Sequence, residues 1–179
     1  MAIPRSSALY APGPFKAKDL PSKSSYELDD GHPIQCLPTR ARGGTAQSLG
    51  ARVVGTDPMV KYSGVEVGFQ LDSGTLRAPD VAILNSVPND GWAMSAPPLA
   101  IEYADEGQDQ PELERKIGQL LEAGTLAVWV VRLGRLRRVE VYSRDAGGAV
   151  IRHGAQAHET LTLSGVLKHP VPAAALFDA

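Results

Sequence analysis

Residues 99 to 123 constrain this chain more than any other stretch. Leu99-Ala-Ile-Glu-Tyr-Ala104, introduced by Pro97-Pro98, is a short apolar run with the pattern of a buried strand, and it carries one carboxylate, Glu102. A carboxylate taken out of water is costly unless it is paired, hydrogen-bonded or bound to a cation. Glu102 therefore demands a partner. The helix that follows, Pro111 to Ala123, is marked at both ends. Pro111 suits the first helical position, Glu112 and Glu114 favour the positive N-terminal end, and Gly124 suits the stop. Leu113, Ile117, Leu120 and Leu121 fall on one stripe, with Lys116 at its edge. From there a long side chain can run along apolar surface and present its amine to a nearby strand end.

A second apolar strand, Leu126 to Val131, comes next, and Arg135 to Tyr142 alternates in a way that suits its antiparallel partner beyond a turn at Gly134. A turn at Asp145-Ala-Gly-Gly148, a weak strand and a proline-rich tail close the chain. Upstream, residues 1–22 read as an irregular N-terminal arm, with one helical turn over Phe15-Lys-Ala-Lys-Asp-Leu20 before Pro21. Asp30-Gly31-His32 signals a turn between two short strands, and Thr45 is the expected N-cap of a helix from Thr45 to Val54. Gly55 is placed to end that helix. Residues 85–98 read as a polar loop with a lone Trp92.

The clearest hairpin runs from Val65 to Leu84. Val65, Val67, Phe69 and Leu71 alternate with polar residues or glycine, and Ser73-Gly74 reads as a two-residue turn. That register pairs Leu71 with Leu76, Phe69 with Ala78 and Val67 with Asp80, and so points Asp80 to the inward face. Pro79 then opposes Gly68, where a bulge or strand end is expected. Hairpin, strand, helix and strand together indicate an α/β or α+β domain with one mixed sheet over residues 23–179.

Composition narrows the function. The 179 residues suffice for one full domain, and a net charge of −2 does not suit a strongly basic nucleic-acid binder. The single cysteine, Cys36, excludes an internal disulfide and any cysteine-based zinc site, and the four histidines show no ligand spacing. No apolar run has the length to span a membrane and the N-terminus lacks a signal-peptide core, so a cytoplasmic location is expected.

Asp80, Glu102 and Lys116 are the residues with chemistry in them. Two carboxylates on adjacent strands can hold magnesium through oxygen, and a lysine beside its water can orient or deprotonate that water, or stabilise developing charge. The same residues have an ordinary reading, in which Asp80 ends a strand, Glu102 pairs with an arginine and Lys116 is solvated. The order Pro79-Asp80, Ile101-Glu102-Tyr103, then a helical lysine resembles the PD-(D/E)XK nuclease superfamily. More closely, the chain resembles the Uma-two family of bacterial endonucleases. Tyr26-Glu-Leu-Asp-Asp-Gly31, Arg77-Ala-Pro-Asp-Val81, Leu99-Ala-Ile-Glu102, Glu114-Arg-Lys116, Ala123-Gly124 and Val128-Trp129 carry that resemblance, in order and over most of the sequence.

The resemblance implies a restriction endonuclease-like core, with a mixed central sheet flanked by helices, and DNA as substrate. It implies metal at Asp80 and Glu102, Lys116 as the assisting lysine, and Glu27 as a fourth site residue; the cofactor is magnesium, with manganese as a substitute. Two departures stand out. Ala104 occupies the position where the superfamily pattern has its lysine, and the stretch Gly43 to Leu49 lacks the histidine often found in that helix. These departures keep a second reading open: a weakened or inactive member acting as a nucleic-acid-binding or homodimeric module. Arg137-Arg138 is the leading cluster for phosphate contact, with Arg40 and Arg42 as further candidates.

Overall fold

The computed structural model describes residues 13–21, 24–87, 89–105 and 109–177. Along the chain these form β1 (Tyr26–Asp29), β2 (His32–Gln35), α1 (Ala41–Gly55), β3 (Ser63–Val65), β4 (Phe69–Gln70), β5 (Leu76–Arg77) and β6 (Val81–Ile83). β7 (Leu99–Ala104), α2 (Gln110–Glu122), β8 (Ala127–Arg132), β9 (Arg138–Arg144), β10 (Val150–Gln156), β11 (Thr160–Leu161) and β12 (Val171–Pro172) follow. Among the described residues no helix is long and apolar enough to cross a membrane.

A six-stranded mixed sheet, β10-β9-β8-β7-β6-β3, is the centre of the fold. Its one parallel pair is β7 with β8, in register from Leu99–Ala127 to Ala104–Arg132. Parallel neighbours need a crossover between them, and α2 is that crossover. Asp109 caps α2 by accepting from the Glu112 N–H, Pro111 lies in its first turn, and Gly124 follows it at φ +109. Side chains of β7 alternate as a strand requires. Leu99, Ile101 and Tyr103 enter one core with Ala46 and Val54 of α1 and Leu176 near the C-terminus. Ala100 and Ala104 face the other way, into a core with Leu113, Ile117, Leu120 and Leu121 of α2. Alanines on that face let α2 approach the sheet closely.

A smaller sheet, β2-β1-β5-β4, stands beside the first. Its hairpin turns on Asp30-Gly31, both at positive φ, so the turn is two residues long and His32 belongs to β2. Phe15, Ala17 and Leu20 pack on Leu28 and Leu76 of this sheet, and the indole of Trp92 joins them, donating to the Ala17 carbonyl at 3.1 Å.

Two expectations are corrected. The hairpin from Val65 to Leu84 is divided between the sheets: β3 pairs with β6, and β4 pairs with β5. Its register is shifted by one residue, with Phe69 opposite Arg77 and Gln70 opposite Leu76. The cause is Asp72, whose carboxylate accepts from Gly74 N and Thr75 N and closes a three-residue loop in place of a two-residue turn. Asp80 consequently faces Glu66, which has positive φ and donates its N–H to the Asp80 carbonyl. The strand break expected near Pro79 is present. The second correction concerns α1, which begins at Ala41. Thr45 does not cap it; its hydroxyl donates back to the Ala41 carbonyl at 2.9 Å, inside the helix.

Candidate active site

β6 and β7 are registered at Val81–Ile101 and Ala82–Ala100. Continued by one residue, that offset sets Asp80 against Glu102, on the face covered by α2. The short strand end leaves Asp80 half-buried, while Glu102 is 6% exposed. Asp80 is oriented from two sides. Its Oδ2 accepts from the Tyr103 N–H at 2.6 Å and its Oδ1 from Gln47 Nε2 of α1 at 2.8 Å. A carboxylate has about four acceptor positions, so two are left.

Lys116 comes from the middle of α2 and is 9% exposed. Its Nζ lies 2.9 Å from Glu102 Oε1, 3.1 Å from Glu27 Oε1, and donates to the Ala78 carbonyl at 2.7 Å. The strand end that its amine was expected to reach is therefore the one just before Asp80. Glu27, from β1, is buried and also meets Arg77 at 3.2 Å. Arg77 of β5 is fully buried and ties the smaller sheet to α2: it reaches Glu112 of α2 at 2.6 Å, donates to Gln119 at 2.6 Å, and stands 3.6 Å from Asp29.

These side chains border one cavity of about 680 Å³, whose ionisable lining includes Glu27, Glu66, Asp80, Glu102, Glu112 and Lys116. Among the described residues five carboxylates and one ammonium thus line the cavity, with Arg77 behind the wall. Burial pushes the Glu102 carboxyl up to about 8; Lys116 opposes that rise and Asp80 adds to it. Asp80 is raised in the same way, by burial first, against the pull of Lys116. For Lys116 burial works downward, but the carboxylates of Glu102, Glu27 and Asp80 outweigh it and hold the ammonium above its ordinary range. Among the described residues, no three of His, Cys, Asp and Glu come together so as to hold a metal ion by themselves.

Asp80, Glu102, Lys116 and Glu27, far apart in sequence, are therefore gathered at one place. The arginines considered for nucleic acid are more dispersed. Arg40 is exposed just before α1, and Arg42 donates to the Leu133 carbonyl. Arg137 is exposed beside β9, and Arg138 pairs with Glu140 at 2.7 Å. Sequence reasoning passed over Gln47, Glu66, Glu112 and Arg77. Gln47 carried one usable signal, since it lies in the stretch where the resemblance led to a search for histidine. Arg77 carried another, since it opens the Arg77-Ala-Pro-Asp-Val81 motif; Glu66 and Glu112 had none, because they meet the cavity only through tertiary packing.

The family model described as "Putative restriction endonuclease" matches residues 15–171. No curated protein matches the chain. Among solved structures, the crystal structure of a putative nuclease belonging to DUF820 from Anabaena variabilis is similar, with a TM-score of 0.74 and 17% identity, over 92% of this chain and 98% of that one.

Proposed function

The chain belongs to the Uma2 family, and from that premise and the cavity geometry we propose a nuclease that hydrolyses DNA phosphodiester bonds with magnesium, or manganese in its place. One observation carries the reading: Asp80 and Glu102 on one sheet face, and Lys116 from the helix over that face, border one cavity lined, among the described residues, by five carboxylates and a single ammonium. Such a cavity repels a phosphodiester on its own and attracts a cation. The donor set suits magnesium, which is commonly held by one or two carboxylates, with waters and phosphate oxygens completing its shell. Asp80 and Glu102 would be those carboxylates. The ion, when bound, supplies polarisation of the phosphoryl group and acidification of a water.

The chain's own residues do the rest. Gln47 and the Tyr103 N–H aim Asp80 and leave its remaining lone pairs open. Lys116 stays an ammonium whose three N–H groups face Glu102, Glu27 and the Ala78 carbonyl, so it contributes fixed positive charge toward developing negative charge and is not the base. Glu27 holds that ammonium together with Glu102. Ala104, small and on the α2 face, leaves room for a lysine delivered from the helix.

The test is incubation of the wild type with plasmid, linear and branched DNA and either metal, beside Glu102→Ala and Lys116→Ala. The expected result is cleavage by the wild type alone. Cleavage that persists in both variants overturns the assigned site, and no cleavage by the wild type on any substrate overturns the hydrolytic reading.

A further inference from the structure

The sheet face that carries Glu102 continues beyond α2 onto β8 and β9. Glu102 is registered with Val130, and Val130 with Glu140. Two residues further on, Ala104 is registered with Arg132, and Arg132 with Arg138. Residues in register share a face, so Arg132 lies one strand spacing from Ala104, roughly 5 Å, and one side-chain repeat, roughly 7 Å, past the row of Glu102. Glu140, 5% exposed, organises the two arginines. Its Oε2 accepts from Arg132 Nε at 3.0 Å, Arg132 Nη2 at 2.9 Å and the Tyr142 hydroxyl at 3.2 Å. Its Oε1 accepts from Arg138 Nε at 3.0 Å and Nη2 at 2.7 Å. Each guanidinium thus spends its Nε/Nη2 edge on the carboxylate. Among the described residues Nη1 of each has no acceptor, although a guanidinium carries five N–H donors. The side chain of Arg138 is 39% exposed.

We propose that this Arg132–Glu140–Arg138 fork, on the sheet face of Glu102 and beside Ala104, grips the phosphodiester backbone of the nucleic acid whose scissile bond enters the cavity. The proposal rests on the nuclease reading and deepens it. The cavity cannot anchor the strand, because its one ammonium is held by Glu102, Glu27 and the Ala78 carbonyl. The fork bears two fixed positive groups against one carboxylate, with unspent planar donors that suit phosphate oxygens. Arg152, exposed and registered with Tyr142 on the neighbouring strand, extends the positive face, while Glu114 of α2 opposes it.

The experiment is fluorescence-anisotropy binding of a 20-base-pair duplex between about 50 and 200 mM salt, in EDTA so that no hydrolysis occurs. Wild type is compared with Arg132→Met, Arg138→Met and Glu140→Gln, and the thermal midpoint of each is recorded. Each arginine variant is expected to bind about tenfold more weakly at low salt. The slope of log affinity against log salt should fall by about 0.9 per arginine removed. A purely structural ion cluster would leave that slope unmoved. An unchanged slope in Arg138→Met, whose side chain is the more exposed of the two, overturns the fork, even if Arg132→Met fails to fold. So does a wild type that does not bind. Cleavage of the same duplex by the wild type with magnesium is read separately. Cleavage with an unchanged slope removes the fork and keeps the nuclease; a changed slope without cleavage does the reverse.

Discussion

Replacing Lys116 with methionine keeps the length of the side chain and removes an ammonium that lies within 3.1 Å of two carboxylates and 2.7 Å of the Ala78 carbonyl. Lys116 and Glu102 are 9% and 6% exposed, so solvent screening of the pair is slight. Removing one partner of a buried pair costs about 3–5 kcal/mol, and here it leaves the Glu27 carboxylate, joined above about pH 8 by that of Glu102, buried without the ammonium. For a chain of this size about 2–4 °C of melting temperature accompanies each kcal/mol, so the midpoint should drop by roughly 6–20 °C. The loss should depend on pH in a defined way. In the wild type Glu102 titrates near 8; without Lys116 its carboxyl is pushed higher still. Below about pH 8 both proteins carry the proton in the native state and the gap is constant. Above it the wild type has completed its titration while the variant goes on losing stability, so the gap widens. Circular-dichroism melts at pH 6.5 and 9, with Glu102→Gln and the double variant, test this. The cycle should give a coupling of at least about 1 kcal/mol at pH 9, where Glu102 is charged, and a smaller one at pH 6.5, where it is already neutral. A Lys116→Met variant within about 1 kcal/mol of wild type at both pH values, and additive with Glu102→Gln, would refute the reasoning.

Two further outcomes follow from the same geometry. The native state of the metal-free protein holds a proton on Glu102 that the unfolded chain releases near 4.5, so stability should fall as pH rises from about 4.5 to about 8. The change is on the order of a few kcal/mol, and Glu102→Gln should flatten it in urea titrations at pH 5.5, 7 and 8.5; a wild type whose stability rises over that window contradicts the burial of Glu102. A methyl group added at Gly50 would lie 2.2 Å from the Tyr103 hydroxyl. Gly50→Ala should therefore cost about 1–3 kcal/mol through overpacking, and Tyr103→Phe should restore most of it, since the Tyr103 hydroxyl has no partner among the described residues. Equal melting temperatures for Gly50→Ala and wild type would show that α1 sits further from β7.

The structural relationship explains why a 17% identical chain can be superposed over 92% of this one. What is shared is the fold, and many apolar sequences satisfy one fold equally well.

Much of the architecture was legible in local sequence. The Asp109, Pro111 and Gly124 signals bound α2, the apolar stripe orients it, and two apolar strands flank it, because capping, helical periodicity and strand alternation act over a few residues. Asp80, Glu102, Lys116 and Glu27 were recognisable as a set through family resemblance and the awkwardness of a carboxylate in an apolar strand. Tertiary structure alone decided the rest. The register of Asp80 followed from the Asp72 carboxylate closing a three-residue loop, and the division of that hairpin between two sheets from the packing around it. The start of α1, the Gln47 bond to Asp80 across 33 residues, and the Lys116 bond to Glu27 across 89 depend on how layers stack. So does the fork at Arg132, Glu140 and Arg138, where strand register placed three ordinary surface-type residues beside a cavity. Short-range preferences shape each element; only the summed burial of both faces of the sheet determines which elements meet.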